Sequence, residues 1–339
     1  MKQVNVQDAV GTVLAHDLTQ IIPGEYKGPK FRKGHEITEN DIPVLLSMGK
    51  KHLFVLEKDD TDVHENEAAY RIASKAAGEN ISLSEPSEGK IELRAEVDGL
   101  LKIDRKRLYK LVAQDEIMFA TIHDNVVVRK GQKLAGTRII PLFVAEAVMQ
   151  EAEALLAAGP IISITPLKNM KVGVVTTGSE VYSGLIEDAF GPVLVKKFGA
   201  LGSTVVKQLF ADDDDDMIAD CIRQLIDEGM DIIGITGGMS VDPDDRTPSG
   251  IRKAGGEVVS YGAPVLPGAM FMLSYIGDVP VVGLPGCVMY SRTSIFDLIV
   301  PRLLAGERVC KEDINKLAMG GLCLNCETCT YPVCGFGKA

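Results

Sequence analysis

The chain has 339 residues, more than a single hydrophobic core usually serves, so we expect two or three domains. Apolar residues make up 46% and charged residues 24%, the balance of a soluble globular protein, and no apolar run resembles a membrane span or a signal peptide. The net charge of −11 excludes a broad basic surface for nucleic acid. We therefore predict a cytoplasmic protein with no membrane or nucleic-acid partner, in which any anionic ligand is held locally.

The first 160 residues form a region whose pattern changes several times. A turn-rich stretch and a short helical pattern precede a second helix over residues 64–78, whose apolar positions include Ala68, Ile72 and Ala76. Strand-like runs rich in β-branched residues follow this helix. These patterns predict a mixed α+β N-terminal region over residues 1–160, which is either one domain or two small modules.

From Lys171 onward the pattern becomes regular, and strands alternate with helices. This alternation predicts βαβ units and a mainly parallel sheet. We therefore predict a Rossmann-like three-layer α/β domain over residues 165–306. No histidine occurs beyond His123, so we expect the chemistry of this domain to rely on carboxylates and main-chain amides.

Three of the predicted strands end in small-residue turns that lead into helices. In an open parallel sheet, ligands bind beyond the carboxyl ends of the strands, and amides at helix starts bind oxyanions. These turns therefore favour a phosphate-bearing ligand, although glycines at such turns can also serve backbone geometry alone. The predicted ligand-binding residues are Thr177, Gly178, Ser179, Gly237, Gly238, Ser240, Pro285 and Gly286.

The second of these turns continues into an acidic run with one arginine, residues 242–247. Carboxylates beside phosphate-binding amides suit a magnesium-bridged phosphate ester, and Arg246 is predicted to contact the phosphate directly. For Asp242 and Asp244, complementing the dipole of the following helix is an equally good interpretation. A longer acidic run at residues 212–216 is interpreted as helix capping and dipole compensation, not as a metal site.

The three turns, in this order and spacing, resemble the molybdenum-cofactor biosynthesis domain family. The most similar branch is the molybdopterin molybdotransferases, which insert molybdate into adenylylated molybdopterin. The segments that carry the resemblance are TTGSEV, ITGGMSVDPDD and GLPGCVMYSRTSIFDLIVPRLLAG, within roughly residues 168 to 306. The resemblance implies molybdopterin as ligand or substrate, magnesium as cofactor and a homodimer.

The resemblance also implies roles for individual residues. Glu180, Asp231 and Asp245 form the implied catalytic set, in which Glu180 helps to bind the pterin or the metal. The two aspartates are the implied acidic partners of magnesium or molybdate, which makes Asp245 a predicted metal ligand. The glycine–glycine turn, with Ser240, is implied to hold the phosphate.

Two positions depart from the molybdotransferase pattern. Ala269 stands where that family has a lysine that can meet an anion, and Cys287 stands where it has an asparagine. Cys287 lies at a predicted helix start, which can lower the pKa of a thiol, but we interpret it as a packing residue. These departures leave open whether the chain is an enzyme or a non-catalytic pterin carrier or sensor.

The segment DPDDRTPSGI also resembles a second branch, the competence-damage-type nucleotide pyrophosphatases, in which a DD-x-T element follows the Gly-Gly turn. Hydrolysis of a dinucleotide or an ADP-ribose-like pyrophosphate is therefore the second functional hypothesis. In either case the expected partner is a small anionic pterin or nucleotide adduct.

Residues 307–339 are predicted to form a cysteine-rich, metal-binding tail with almost no core of its own. The spacing is Cys323-x2-Cys326-x2-Cys329-x4-Cys334, and short Cys-x-x-Cys turns of this kind aim their sulfurs inward. The run is similar to the ferredoxin pattern C-x2-C-x2-C-x3-C-P, with a longer last gap. The spacing is compatible with either a zinc ion or an iron–sulfur cluster of four irons, and the alternative to a metal is four free or disulfide-bonded thiols. We favour a structural metal.

Overall fold

The protein is described here by a computed structural model that covers residues 2–56 and 62–338. The chain forms two units, and each is built from several segments of the sequence. The N-terminal unit comprises the described residues of Met1–Ala95, Asp104–Ile122 and Gln132–Ser163. The C-terminal unit comprises those of Glu96–Ile103, His123–Gly131 and Ile164–Ala339.

Short strands and helices follow one another along the described chain. A 3-10 helix spans Val6–Asp8. The strands are β1 Lys2–Asn5, β2 Leu18–Ile22, β3 Tyr26–Phe31, β4 His52–Val55, β5 Val63–His64, β6 Ile81–Leu83, β7 Ile91–Ala95, β8 Gly99–Ile103, β9 Ile117–Thr121, β10 Val127–Val128, β11 Lys133–Ile139, β12 Phe143–Val144, β13 Ile162–Thr165, β14 Lys171–Thr177, β15 Thr204–Ala211, β16 Ile232–Thr236, β17 Glu257–Tyr261, β18 Met272–Ile276 and β19 Val279–Leu284. The helices are α1 Asp41–Ser47, α2 Glu65–Ala76, α3 Arg105–Val112, α4 Glu146–Leu156, α5 Ser179–Tyr182, α6 Phe190–Ala200, α7 Asp215–Asp227, α8 Thr247–Lys253, α9 Cys287–Tyr290, α10 Ile295–Leu304 and α11 Lys311–Lys316. Among the described residues, no helix combines the length and apolar character that crossing a membrane requires.

In the N-terminal unit, helix α2 contacts strand β11 of an antiparallel sheet with the order β6-β7-β11-β9. Ala68, Ile72 and Ala76 are fully buried on one face of this helix, as their spacing predicts. His64 begins the helix by accepting a hydrogen bond at Nδ1 from the Asn66 amide at 3.2 Å. Burial lowers the pKa of His64 to about 4, so this ring stays neutral and can keep capping the helix. The mixed α+β character predicted for this region is confirmed.

The C-terminal unit contains a sheet of six strands with the order β15-β14-β16-β19-β18-β17. The first four strands are parallel, and β18 and β17 run antiparallel to their neighbours. The predicted Rossmann-like α/β domain with a mainly parallel sheet is therefore confirmed. Strand β18 is an addition to the prediction. A two-residue Gly277-Asp278 connection joins it to β19, and such a pair between apolar runs is a hairpin signal that could have revealed it.

Helices cover both faces of this sheet, which gives the predicted three layers. Val174 of β14 packs in the same cluster as Phe198 of α6, on one face. Val175, the next residue, points to the opposite face and packs in the cluster that contains Ile222 of α7. Because successive strand residues point to opposite faces and both faces are covered, β14 and β16 are almost continuously apolar.

The cysteine-rich tail packs against the C-terminal unit, contrary to the expectation that it has almost no core. Val309, Ile314 and Phe336 are buried and join the cluster on one face of the sheet. The Tyr331 hydroxyl donates a hydrogen bond to the Asp297 carbonyl oxygen at 2.9 Å, which fixes the tail to α10. Both ends of the tail are therefore attached to the domain.

Two short segments before residue 160 belong to the C-terminal unit, Glu96–Ile103 and His123–Gly131. The predicted division into residues 1–160, 165–306 and 307–339 places them in the N-terminal region. The second segment includes His123, which therefore belongs to the C-terminal unit although it lies outside residues 165–306.

Candidate functional site

The three glycine turns follow β14, β16 and β19, which are parallel neighbours in the sheet, so the turns share the carboxyl edge. From β14 the chain goes to β15 on one side, and then to β16 on the other side. The strand order therefore reverses between β14 and β16, and such a switch point is where open α/β sheets bind ligands. We refer to the turns at residues 177–180, 237–240 and 285–287 as the loop edge.

Buried threonine hydroxyls join the first two turns of the loop edge. The Thr177 hydroxyl oxygen lies 2.9 Å from that of Thr247 and 3.2 Å from the Thr236 carbonyl oxygen, and its one proton can be donated to either acceptor. Thr247 donates to the Gly237 carbonyl oxygen at 2.9 Å. Thr247 is therefore a bridge between turns, which its sequence position before Pro248 did not indicate.

Gly237 and Gly178 have left-handed φ angles of 89° and 129°. A Cβ atom on Gly237 would lie 2.1 Å from the Thr177 carbonyl oxygen, whereas one on Gly178 would have no atom within 4 Å. Gly237 is thus required by the contact between the first two turns themselves. Gly178 is required by its backbone conformation alone.

The main-chain donor at the start of helix α5 already has a partner within the protein. The Ser179 amide donates to Asp213 Oδ2 at 3.0 Å. Asp213 belongs to the acidic run at residues 212–216, for which the sequence predicts helix capping. Its neighbour Asp214 does cap helix α7, because its side chain accepts a hydrogen bond from the Met217 amide at 2.9 Å. Asp213 therefore already accepts from the Ser179 amide, which the sequence analysis predicts as a donor to an oxyanion of the ligand.

Asp245 closes the acidic turn that follows the second glycine pair. Its Oδ2 accepts from the Asp242 amide at 2.9 Å, and its own amide donates to the Asp242 carbonyl oxygen at 3.0 Å. Tyr261 supports the same turn by donating to the Met239 and Ser240 carbonyl oxygens at 3.1 and 3.0 Å. Burial, followed by the negative charge of Asp245, raises the pKa of Tyr261, so this hydroxyl remains a donor. No local sequence pattern marks Tyr261 as part of the site.

Arg246 and Glu180 are both exposed to solvent at the loop edge. The Arg246 Nε lies 3.3 Å from Asp215 Oδ1, so the guanidinium is paired with a carboxylate while half of the side chain remains accessible. Asp215 Oδ2 in turn accepts from the Ser249 hydroxyl at 2.8 Å. An incoming phosphate would therefore share Arg246 with Asp215.

Asp231 does not lie with Glu180 and Asp245. It precedes β16, and its Oδ2 accepts from the Lys171 amide at 2.7 Å at the start of β14. Strand β16 has five residues, so about 16 Å of strand separates Asp231 from the loop edge. Asp231 thus joins two strands at the amino edge of the sheet, and the implied set of three acids is not brought together.

The third turn contains Pro285 and Gly286 and leads directly into α9. The Val288 amide donates to the Pro285 carbonyl oxygen at 2.9 Å, which closes the first turn of this helix. Burial raises the pKa of the Cys287 thiol, so the lowering that a helix start can cause does not prevail here. This direction agrees with the interpretation of Cys287 as a packing residue.

The four cysteines of the tail line one cavity of about 550 Å³. Residues 290–293, which follow α9, form part of its wall. Within residues 2–56 and 62–338, no three His, Cys, Asp or Glu side chains are arranged to hold a metal ion. Cys323, Cys326, Cys329 and Cys334 thus line a common space, but among the described residues neither these thiols nor the carboxylates around Asp245 are already arranged as metal ligands.

Residues 173–305 match the family model described as "Probable molybdopterin binding domain". The C-terminal domain is thus similar to the molybdopterin-binding domain family. The match contains all three turns of the loop edge, which confirms the resemblance that those turns indicated. Residues 3–57 match a second model, "Domain of unknown function (DUF8806)".

The chain is also similar to curated proteins named CinA-like. The protein from Mycobacterium avium (strain 104) is 33% identical over 95 residues, which are 28% of this chain and 22% of that protein. The protein from Gemmatimonas aurantiaca is 32% identical over 97 residues, which are 29% of this chain and 22% of that protein. The match spans about a fifth of the length of these relatives.

Two solved structures show distant similarity to the chain. The tungsten cofactor synthesizing protein MoaB from Pyrococcus furiosus is 22% identical, with a TM-score of 0.34, and the match covers 42% of this chain and 99% of that one. The molybdopterin biosynthesis MoeA protein from Pyrococcus horikoshii is 17% identical, with a TM-score of 0.33, over 90% of this chain and 74% of that one.

Proposed function

We propose that the loop edge binds molybdopterin or its nucleotide adduct and that the protein acts in molybdenum cofactor biosynthesis. The observation that carries this proposal is the location of the family match. Residues 173–305 include the three glycine turns, and two of these turns meet at the switch point of the sheet. A phosphate-bearing pterin placed there would face the turns at residues 177–180, 237–240 and 285–287.

The charge of the loop edge supports a requirement for a divalent cation. Glu180, Asp242 and Asp244 are exposed there, and Arg246 is already paired with Asp215. A phosphate brought to this acidic surface is repelled unless a cation neutralises the nearby carboxylates. Exposed carboxylate oxygens are hard ligands that suit magnesium, and a magnesium ion bound there would lower the charge of the phosphate ester.

The residues of the chain would then perform separate tasks. The threonine bridge, Thr177 to Thr247, holds the first two turns at a fixed spacing for the ligand. Asp245 shapes the acidic turn through the Asp242 amide and adds its charge near the cation. Asp213 would give up the Ser179 amide to an oxygen of the ligand. Asp231 is left out of this proposal because it lies at the opposite edge of the sheet.

Molybdate insertion into adenylylated molybdopterin is the reaction that we propose first. A pyrophosphatase acting on nucleotide adducts is the second candidate, because the curated relatives are named CinA-like and the chain carries the acidic segment DPDDRTPSGI. A pterin carrier or sensor is the third candidate, because Ala269 removes a cation that the molybdotransferase pattern provides.

The decisive experiment is a calorimetric titration of the full chain with molybdopterin, with and without magnesium. Asp245→Asn keeps an oxygen for the Asp242 amide but removes a charge, so we expect roughly a tenfold loss of magnesium-dependent affinity, about 1.4 kcal/mol. Asp231→Asn is the matched control, because it removes a carboxylate from the other edge of the same sheet. This variant should bind pterin as the unaltered protein does.

The outcomes separate the candidates. Saturable pterin binding followed by AMP release in the presence of molybdate supports the transferase, and binding without turnover supports the carrier. Hydrolysis of ADP-ribose without pterin binding would favour the pyrophosphatase. Equal losses of affinity in the Asp245 and Asp231 variants would contradict the location of the site.

A further inference from the structure

The cavity lined by the four tail cysteines is separate from the turns that the proposed function uses. Its wall also contains the side chains of Leu322, Leu324 and Phe336. All seven cysteines of the chain are free thiols in the structure, so the described tail contains no disulfide that would occupy these sulfurs. Four thiols from a twelve-residue segment, 323–334, therefore face one largely apolar cavity.

The peptide that carries these cysteines is fixed in place by the domain. The Cys323 amide donates to the Leu266 carbonyl oxygen, and the Leu266 amide donates to the Gly321 carbonyl oxygen, both at 2.8 Å. At the other end, the Gly337 amide donates to the Gly320 carbonyl oxygen at 2.8 Å, and Phe336 is buried. The cavity is therefore a built feature of the fold.

A single ion and a cluster require different separations of the four sulfurs. Around one zinc ion with Zn–S bonds of about 2.3 Å, tetrahedral geometry places the sulfurs roughly 4 Å apart. In a cluster of four irons, each thiolate binds its own iron, so the sulfurs surround a larger group.

The spacing of the cysteines favours a cluster over a single zinc ion. Zinc sites usually pair two Cys-x-x-Cys turns across a longer loop, whereas here Cys326 belongs to both turns of the run Cys323-x2-Cys326-x2-Cys329. Three successive thiols at this spacing are typical of four-iron clusters. Cys334 lines the same cavity, so the fold and not the spacing places a fourth thiol within the same space.

Positive charge and hydrogen-bond donors are present at the cavity. Arg292 lines it and is positioned by donating to the Glu327 carbonyl oxygen at 2.7 Å. The Thr293 hydroxyl oxygen lies 3.9 Å from the Cys323 sulfur, within reach of an O–H to sulfur contact. Cationic and donor groups beside the sulfurs stabilise the negative charge of a thiolate-bound cluster.

We propose that Cys323, Cys326, Cys329 and Cys334 bind one iron–sulfur cluster with four irons and four sulfides. The cluster lies beside the third turn of the loop edge. Helix α9 begins after Gly286 of that turn and ends at Tyr290 in the cavity wall, and its four residues span about 6 Å. A redox-capable group is thereby placed one helical turn from the loop edge, whatever ligand that edge binds.

The first test is the composition of the full chain purified without oxygen. Iron, acid-labile sulfide and zinc are measured before and after reconstitution with ferrous iron and sulfide in the presence of a thiol reductant. We expect about four irons and four sulfides per chain and, after reduction with dithionite, the paramagnetic signal of a reduced cluster. One zinc per chain, with no iron and sulfide taken up on reconstitution, would overturn the proposal. So would an absence of any bound metal after reconstitution.

Single-cysteine variants complete the test. Cys326→Ser and Cys329→Ser change exposed residues, so the fold should persist, and this is checked by circular dichroism. We expect each variant to lose at least one iron of the four and the signal of the intact cluster. Cys310→Ser is the matched control, because this exposed thiol caps α11 outside the cavity and serine is an equally good cap. Retention of the complete cluster in both test variants would overturn the assignment.

Discussion

The loop edge and the cysteine cavity lie in the same unit but are organised in opposite ways. At the loop edge, polar groups already have protein partners, as in the contact between Thr177 and Thr247 and that between Ser179 and Asp213. At the cavity, four thiols face a space that protein atoms do not fill. We therefore expect the loop edge to keep its shape without a ligand, whereas the cysteine segment between its fixed ends should be stabilised further by the proposed cluster.

Removal of the proposed cluster has the largest expected effect on this comparison. After treatment with an oxidant and an iron chelator, amide hydrogen exchange in residues 320–338 should accelerate at least about tenfold, because metal–thiolate binding contributes on the order of 10 kcal/mol in small metal-bound peptides. Strands β14 and β16 should keep their protection. Mass spectrometry of the exchanged peptides measures both regions in one experiment.

Two results would contradict the expected difference between the tail and the loop edge. Equal acceleration in the tail and in β14 would mean that the two regions unfold together. Unchanged exchange in the tail would mean that packing through Phe336 and Tyr331 holds this segment without a metal.

Gly237→Ala is expected to have the next largest effect, at the other region. The new Cβ would meet the Thr177 carbonyl oxygen at 2.1 Å in a left-handed conformation, so we expect a loss of about 3 kcal/mol in the free energy of unfolding. Gly178→Ala is the control with open space around the new atom, and it should cost about 1 to 2 kcal/mol. Urea denaturation of the C-terminal unit measures both values. A larger loss for Gly178 would contradict the proposed contact between the turns.

The smallest expected effect is a difference in thiol reactivity. In cluster-free protein, iodoacetamide should modify the exposed Cys326 and Cys329 faster than Cys287, because burial shields the Cys287 thiol and raises its pKa, which lowers its thiolate fraction near neutral pH. With the cluster bound, the tail cysteines should become the protected ones. Mass spectrometry after timed quenching measures the modification of each cysteine. Faster modification of Cys287 than of Cys326 and Cys329 would contradict this prediction.

The sheet was predictable because its physical cause is local. Strands β14 and β16 are covered on both faces, and this leaves nearly continuous apolar runs in the sequence. The glycines of the loop edge were equally visible, since Gly178 and Gly237 adopt left-handed conformations that other residues avoid. The cysteine spacing is also a local signal, and the structure brings all four residues to one cavity.

The partners of these residues were not predictable in the same way. Asp213 contacts Ser179, Thr247 contacts Thr177 and Tyr261 contacts Ser240 across 34, 70 and 21 residues of sequence, and the strand order makes these residues neighbours. Asp231 illustrates the opposite error. It lies near a glycine turn in the sequence, but the strand between them carries it to the far edge of the sheet.

A ligand that binds the Ser179 amide of the first turn has to displace Asp213 from it, because this amide already donates a hydrogen bond to Asp213. A carboxylate in that place satisfies the amide and also repels anions, so a weakly charged pterin gains little by displacing it. A phosphate dianion is a stronger hydrogen-bond acceptor than a weakly charged pterin. The cation that accompanies it would neutralise the displaced carboxylate. If the proposed ligand binds at this turn, Asp213 would act as an internal competitor that favours phosphorylated ligands over their dephosphorylated forms.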